Sequence, residues 1–168
     1  RDLHVSVHSF PTRRSSDLIP AKITSITPKD GMLQNPQTAA DLLGSSGEVF
    51  IQKSQQGGGS PMIRGFSTNR LLYTVDGVRM NTAIFRSGNL QNVISLDPFA
   101  IENTEVFFGS GSVIYGSDAI GAVMSFHTLT PRFSLTDKPM VTGRAEARHS
   151  TANNEFTGHF NINVGWKK

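Results

Sequence analysis

The most restrictive feature of the sequence is a long two-residue alternation close to its C-terminal end. Over residues 156–166, apolar or small side chains alternate with mostly polar ones, and Trp166 ends the apolar series. Because successive side chains of a strand point to opposite faces, this pattern predicts a β-strand with one apolar face. Residues 141–148 alternate in the same way over a shorter length. The two segments therefore predict a hairpin with its turn at 151–154.

Two kinds of protein contain such a hairpin. Transmembrane β-strands of about 9–11 residues alternate in this way and place Trp or Tyr near the membrane interface. Strands of a soluble sandwich that have one solvated face show the same alternation. The pattern alone leaves both possibilities open.

The composition excludes several classes of protein. None of the 168 residues is a cysteine, which excludes a disulfide framework, a cysteine zinc site and a thiol nucleophile. No run approaches the roughly 18 apolar residues of a membrane-spanning helix. The formal net charge of +3 is small, and the first eighteen residues contribute to it with three arginines against two aspartates. Because this balance of charges is ordinary, we predict no nucleic-acid partner.

The first eighteen residues differ from everything that follows. Residues 1–18 show neither helical nor strand periodicity, and they lack the apolar core of a secretory signal. The segment resembles the translation of a sequencing adapter. We interpret it as a non-native, disordered leader, and we expect the natural N-terminus to lie outside the sequence.

Short apolar runs separated by turn-forming residues follow from residue 19 onward. Strands are predicted at 22–27, 49–52, 62–63, 71–75, 78–80, 105–108 and 122–126. Short helices are predicted at 38–43, where Asn35 and Pro36 form the start signal, at 97–103 and at 117–120. Loops are predicted at 55–60, 81–91 and 109–112. This mixed order predicts an α+β domain.

Motifs for catalysis are missing from the sequence. The glycines at 109–111 lack the third glycine of a dinucleotide fingerprint and the lysine of a P-loop. Neither a G-x-S-x-G nor an H-E-x-x-H segment is present. His149 and His159 are expected to face each other across the hairpin, but two histidines without a third ligand make a poor metal site. We therefore predict no enzyme, no catalytic residue, no metal site and no cofactor.

Two segments carry a specific family pattern. They are PMIRGFSTNRLLYTVDGVRMN, at residues 61–81, and IENTEVFFGSGSVIYGSDAIGAVMSF, at residues 101–126. Together they resemble the plug domain of TonB-dependent outer-membrane receptors, and the resemblance extends over residues 19–130. The hairpin then looks like the first two strands of the family's large β-barrel, which favours the membrane interpretation of the alternating face.

The resemblance implies a fold class and domain boundaries. It implies an α+β chain in which a small mixed plug domain has short helices and a few-stranded sheet. An antiparallel β-hairpin from a truncated outer-membrane β-barrel follows the plug. The expected domains are the leader at 1–18, the plug at 19–130 and the first barrel hairpin at 131–168.

Three positions depart from the family's pattern. Phe108 stands where many members carry an arginine, Ser110 replaces the usual proline, and Ala122 replaces the second glycine of a pair. The turn tolerates Ser110, and Ala122 narrows the backbone freedom only slightly. Phe108 removes a cation, so that a salt-bridge role at this position does not carry over.

The function implied by the resemblance is transport. The chain would be a fragment of an outer-membrane transporter of a Gram-negative bacterium, in which the plug gates the barrel lumen. It would contribute to energised uptake of an iron chelate, haem or a similar ligand. Its partners would be a TonB-type energy-transducing protein, whose contact segment is missing from the sequence, the transported ligand and outer-membrane lipid. The alternative is a soluble ligand-binding module with a plug-like fold.

Three groups of residues are candidates for the site. The first group consists of loop side chains that could bind a ligand: Arg79, Asn81, Phe85, Arg86 and Asn89. The alternative for each of them is a solvated loop residue without a role in binding. A lock between plug and barrel wall is expected at Arg64, Glu102 and Glu105, because a guanidinium pairs well with carboxylates. The alternative for Arg64 is a surface arginine in a turn. Structural glycines are expected at Gly65, Gly77, Gly109, Gly116 and Gly121.

Overall fold

The computed structural model describes residues 22–27, 30, 33–55, 58–67, 70–80, 96–152 and 154–167. The predicted leader at 1–18 and the predicted loop at 81–91 lie outside these residues. The chain divides into two compact units, one ending at Thr128 and the other beginning at Leu129.

Eight strands, two short α-helices and one 3-10 helix of the first unit have both of their ends among the described residues. In chain order they are β1 (Ile23–Ile26), α1 (Ala39–Gly44), β2 (Phe50–Gln55), β3 (Gly58–Ile63), β4 (Phe66–Ser67), β5 (Leu71–Val75), β6 (Val78–Arg79), the 3-10 helix (Pro98–Ala100), β7 (Ile101–Phe108), α2 (Ser112–Tyr115) and β8 (Ala122–Thr128). The second unit contains β9 (Met140–Ser150) and β10 (Glu155–Gly165). The predicted α+β class with a terminal hairpin is confirmed.

A five-stranded sheet in the order β1-β7-β8-β5-β6 forms the centre of the first unit. Strands β5 and β8 run parallel, with Leu71 opposite Ala122, whereas the other neighbouring strands are antiparallel. A parallel pair requires a long crossover, which the chain between β5 and β8 supplies. The side chains that pack the core from this sheet are fully or almost fully buried, and they include Tyr73, Val106, Met124 and Phe126.

A second sheet, β2-β3-β4, packs with helix α1. The loop predicted at 55–60 is wrong at Gln55, which ends β2, and from residue 58 onward, because β3 begins at Gly58. A Cβ at Gly59 would lie 2.5 Å from Cγ2 of Ile51 and 3.4 Å from Cβ of Ala40. Gly59 is therefore a strand residue, and its missing side chain allows α1 to pack closely against β3. It does not form a flexible loop.

Helix α1 confirms the predicted short helix, but its start signal was wrong. Asn35 has φ of 48°, whereas Thr38 has the extended backbone of an N-cap, with φ of −137°. The Thr38 hydroxyl accepts a hydrogen bond from the Asp41 N–H at 3.2 Å. The Asp41 carboxylate in turn accepts from the Thr38 N–H at 3.2 Å, which completes a capping box.

Two other predicted helices need correction. Asp97 does cap a helix, through a hydrogen bond from the Phe99 N–H, but only one 3-10 turn forms before β7 begins at Ile101. The helix predicted at 117–120 is wrong, and α2 forms at Ser112–Tyr115. The backbone of the later segment is used elsewhere, because Ala119 accepts from the Gly111 N–H at 2.9 Å. In the described part of the chain, no helix is long and apolar enough to cross a membrane.

Strands β9 and β10 form the predicted hairpin over eleven residues each. The turn pairs Ser150 with Glu155, and this register places His149 opposite Phe156 and His159 opposite Glu146. The expectation that the two histidines face each other was therefore wrong. The register puts His149 on the apolar face and His159 on the polar face.

The two faces of the hairpin differ as the alternation predicts. On the apolar face, Phe156, Phe160 and Ile162 are between 61% and 73% exposed. On the polar face, Arg148 is only 8% exposed and donates to the Glu155 carboxylate at 2.5 Å and to the Thr157 hydroxyl at 3.0 Å. The hairpin therefore pairs Arg148 with Glu155 on one face and leaves large apolar groups uncovered on the other.

The segment before β9 folds back onto the end of β10. The Asn163 side chain accepts from the Arg132 N–H and donates to the Arg132 carbonyl, both at 3.0 Å. The Ser134 N–H donates to the Trp166 carbonyl at 3.2 Å. A Cβ on Gly165 would collide with the Arg132 carbonyl, so the crossing depends on glycine at this position.

Candidate functional site

The turn between β5 and β6 carries one of the predicted ligand-binding residues. Asp76 and Gly77 form this turn with φ of 49° and 80°. It directs the chain back, so that Arg79 in β6 pairs with Thr74. The Arg79 guanidinium forms an ion pair with Asp118, and both side chains remain about half exposed.

This ion pair connects the two family segments of the sequence. Asp118 lies in the glycine-rich turn after α2, and a Cβ at neighbouring Gly116 would lie 3.6 Å from a guanidinium nitrogen of Arg79. The charge of Arg79 is already balanced, so an anionic ligand would have to share the guanidinium with Asp118. The ligand-binding role of Arg79 stays a prediction.

The other predicted ligand-binding residues are Asn81, Phe85, Arg86 and Asn89. All of them lie outside the described residues. Their role in ligand binding therefore stays a prediction.

Arg64 lies at the turn between β3 and β4, and its lock role stays a prediction. It has φ of 49°, it is exposed, and its guanidinium carbon lies 5.5 Å from the centroid of the Phe108 ring. Nearby, Glu48 binds the Lys22 ammonium and accepts from the Thr24 hydroxyl at 2.5 Å. These two hydrogen bonds, the one from Lys22 first, lower the pKa of Glu48, and the charge of Arg64 adds to the effect.

The two predicted lock carboxylates, Glu102 and Glu105, both lie on β7. Glu102 belongs to the strand, and the placement of this residue at the end of a helix was wrong. The Glu105 side chain is 15% exposed, and its carboxylate lies 4.0 Å from Nε2 of His127 and 3.4 Å from the Asn103 amide. Burial, and secondarily the charge of Glu105, raises the pKa of Tyr115. The lock function of the two glutamates stays a prediction.

The predicted structural glycines have two different geometries. Four have φ between 80° and 110°, a region that side chains disfavour: Gly65, Gly77, Gly109 and Gly116. Gly121 has no such φ value, and its role is steric, because a Cβ there would lie 2.5 Å from Cβ of Phe66. The same stretch of chain therefore needs glycine both for its turns and for a close approach.

Sequence reasoning missed two residues that organise this region. Asp118 was part of the quoted family segment, and an acidic residue within a glycine-rich turn was the available signal for an arginine partner. Glu48 lies just before β2 in a stretch without a motif, so no signal identified it. Its contacts to Lys22 and Thr24 arise only from the packing of distant segments. Among the described residues, no group of three acidic or histidine side chains could hold a metal ion.

The fold and the residues above define a class of protein. It has a small mixed domain in which an arginine–aspartate pair links β6 to the glycine-rich turn after α2, and a two-faced hairpin follows that domain. The family model of the TonB-dependent receptor plug domain matches residues 16–123. The chain therefore belongs to the TonB-dependent receptor plug family, which places it in the outer membrane of a Gram-negative bacterium.

Curated relatives are receptors and transporters. The vitamin B12 transporter BtuB of Vibrio vulnificus strain YJ016 is 34% identical over 160 residues, which are 94% of this chain and 25% of that protein. The hemin receptor of Yersinia pestis is 32% identical over 117 residues, which are 69% of this chain and 17% of that protein. The chain thus spans a quarter or less of the length of these relatives.

Solved structures share the fold. The copper transporter OprC superposes with a TM-score of 0.72 at 19% identity, covering 86% of this chain and 21% of the transporter. The ferric yersiniabactin uptake receptor FyuA from Yersinia pestis superposes with a TM-score of 0.60 at 17% identity, covering 84% of this chain and 21% of the receptor. At these identities the likeness concerns the fold alone.

Proposed function

We propose that this chain provides the plug and the first two wall strands of a TonB-dependent outer-membrane transporter. Residues 19–130 would close the lumen of the barrel, and residues 131–168 would begin its wall. The observation that carries the proposal is the two-faced hairpin directly after a plug fold, with Phe160 70% exposed and Arg148 8% exposed. A lipid-facing wall requires this division of apolar and polar side chains.

The unpaired strand edges support the same proposal. Within the described residues, β9 and β10 pair only with each other. Each strand is eleven residues long and has an outer edge whose backbone groups pair with no further strand among these residues. A membrane excludes water, so these groups require further strands of a closed barrel. A soluble binding module would instead leave a long apolar hairpin with two open edges, which favours aggregation.

The transported ligand is proposed to be an iron chelate, haem or a similar metal chelate. The names of the relatives given above support this class. On the chain itself, Arg79 and the predicted loop residues Asn81, Phe85, Arg86 and Asn89 would supply cationic, amide and aromatic contacts. A TonB-type protein would supply the energy by pulling the plug from the periplasmic side. Such a transporter rearranges a plug and performs no covalent chemistry, so the proposal includes no enzymatic role.

The plug function is tested in the full-length receptor that carries this chain. The receptor is expressed in a Gram-negative host without its own haemin and cobalamin receptors, and growth is followed on haemin as iron source and on cyanocobalamin. Deleting residues 22–128 should abolish energy-dependent growth on the transported ligand and admit vancomycin, which intact outer membranes exclude. The Gly158→Ala variant is the matched control, because a Cβ there meets nothing within 4 Å.

Two results would contradict the proposal. One is a deletion variant that reaches the outer membrane in normal amount and stays closed to vancomycin. The other is a purified chain that remains monomeric and free of detergent while keeping residues 140–165 folded. The second result would favour the soluble binding module.

A further inference from the structure

The Phe108 side chain lies beneath two cations. The guanidinium carbon of Arg64 and the ammonium nitrogen of Lys22 are each 5.5 Å from the centroid of its ring. A cation within about 6 Å of a ring centroid is attracted by the negative face of the ring. Phe108 ends β7, is 5% exposed, and donates its N–H to the Lys22 carbonyl at 2.9 Å. The ring is therefore a fixed platform.

The two cations differ in their other contacts. Lys22 forms an ion pair with Glu48, so its charge is neutralised nearby. Arg64 forms no ion pair within 4.0 Å among the residues that the structure describes, although its charge contributes to the lowered pKa of Glu48. Arg64 is exposed, and a guanidinium has five N–H donors with which it can meet an anion.

The turn and the ring together fix the direction of Arg64. Its left-handed backbone, with φ of 49°, sets where the side chain leaves the turn between β3 and β4. Arg64 lies in a turn of the three-stranded sheet, between β3 and β4, whereas Phe108 is the last residue of β7 in the five-stranded sheet. A guanidinium can stack on a ring with its plane and still offer its edge to a carboxylate, which an ammonium group cannot do.

We propose that Phe108 is a positioning residue that holds the Arg64 guanidinium by a cation–π contact and presents it to a carboxylate of the barrel wall. This inference rests on the proposed plug function. Such a contact at an exposed site strengthens the placement of the guanidinium by about two- to five-fold.

A double-mutant cycle in the full-length receptor tests the proposal. The variants are Phe108→Leu, which keeps an apolar side chain but removes the ring, and Arg64→Gln, which removes the charge, alone and together. Phe108→Tyr keeps the ring and serves as the rescue variant, and Lys22→Gln removes the other cation. Two quantities are measured: entry of vancomycin into cells, which reports the plug–wall lock, and the urea midpoint of the purified receptor, which reports stability.

The expected result is a leak that depends on both residues. Phe108→Leu should raise vancomycin entry about two- to five-fold, Phe108→Tyr should not, and adding Phe108→Leu to Arg64→Gln should have no further effect. Lys22→Gln should leave the coupling between Phe108 and Arg64 intact. An equal effect of Phe108→Leu with and without Arg64 would overturn the proposal, because it would show that the ring acts through packing alone.

The measurements also separate failure of the inference from failure of the proposed function. If Arg64→Gln causes no leak while Phe108 and Arg64 remain coupled in the urea midpoint, the contact exists but does not serve a lock. If Arg64→Gln causes a leak and Phe108→Leu has none, the lock exists without the platform. Both results would overturn the inference, and only the first also weakens the proposed lock.

Discussion

Asp76 and Thr128 are joined by two hydrogen bonds across the central sheet. The Asp76 carboxylate accepts from the Thr128 N–H at 2.9 Å and from its hydroxyl at 2.7 Å. The Asp76 N–H in turn donates to the Phe126 carbonyl at 2.9 Å. The turn after β5 is thereby fixed to the last residue of the first unit. Asp76 thus does more than shape its own turn, because it also secures the end of β8.

This contact predicts a dependence of stability on pH. The hydroxyl and the N–H of Thr128, in this order, lower the pKa of Asp76 below its ordinary value of 3.8. A carboxyl group with a lowered pKa in the folded state stabilises the fold above its unfolded pKa, and this stabilisation is lost as the pH falls through the folded value. We expect Asp76→Asn to lower stability above about pH 4 and to flatten the decline below it.

Urea unfolding of the first unit between pH 2 and pH 7 measures this effect. Asparagine tolerates the left-handed backbone at position 76, so the variant removes the charge without adding backbone strain. Asp137→Asn, in the second unit, is the control and should leave the profile unchanged. If the pH profile of Asp76→Asn equals that of the unsubstituted protein, the charge of Asp76 does not contribute to the stability of the fold.

The close approach of Gly121 to Phe66 predicts a steric cost. A Cβ at position 121 would lie 2.5 Å from Cβ and 2.6 Å from Cγ of Phe66, and neither atom is the mobile end of a side chain. We expect Gly121→Ala to destabilise the first unit by about 1–3 kcal/mol, measured by chemical denaturation. Gly158→Ala, where the added Cβ meets nothing within 4 Å, should be close to neutral. Equal effects of the two substitutions would contradict the steric explanation.

Two hydroxyl groups in the core predict stabilising substitutions. Among the described residues, the hydroxyls of Tyr73 and Thr104 are buried and find no hydrogen-bond partner. Burial also raises the pKa of Tyr73. An unsatisfied buried polar group costs about 1–3 kcal/mol, so Tyr73→Phe and Thr104→Val should each raise the unfolding free energy.

A hydroxyl with a partner provides the control for these substitutions. Thr24 donates to the Glu48 carboxylate at 2.5 Å, so Thr24→Val should lower the unfolding free energy. Urea midpoints at neutral pH measure all three variants. Losses of stability for both Tyr73→Phe and Thr104→Val would mean that the two hydroxyls have partners after all.

The Asn163 side chain predicts a local effect on the segment before β9. It binds the N–H and the carbonyl of Arg132 at 3.0 Å each, and the Ser134 N–H lies next to this contact. We expect Asn163→Ala to speed hydrogen exchange at the Ser134 amide, because the Arg132 backbone is no longer held and the hydrogen bond from Ser134 to the Trp166 carbonyl opens more often. Asn161→Ala, on the same face of β10, should not. Equal exchange rates at the Ser134 amide in both variants would contradict the proposed role of the Asn163 contact with Arg132.

Much of the fold was predictable because it depends on local patterns. The alternation over 156–166 predicted β10, and Asp76-Gly77 predicted the turn between β5 and β6. Two of the errors arose where contacts beyond the local pattern decide the structure. The sequence around Gly59 predicts a loop, but in the fold Ile51 and α1 pack against this residue. The sequence around Ala119 predicts a helix, but its carbonyl accepts a hydrogen bond from the Gly111 N–H.

The candidate site was less predictable for the same reason. Arg64 could be singled out from its place in the motif. Its contact with Phe108 joins two sheets, and the spacing of residues along the sequence does not indicate such a contact. The ion pair between Arg79 and Asp118 likewise joins segments 39 residues apart. Contacts of this kind depend on tertiary structure, which single-sequence patterns do not record.

The most direct test of the transporter proposal is lipid contact along β10. The sequence contains no cysteine, so single cysteines at Phe160, Asn161, Ile162 and Asn163 can each carry a fluorophore in the full-length receptor, freed of other cysteines and reconstituted in brominated lipid. A lipid-facing wall strand predicts strong quenching at 160 and 162 and little at 161 and 163. Equal quenching at all four positions, or none at 160 and 162, would contradict a place for this hairpin in the barrel wall.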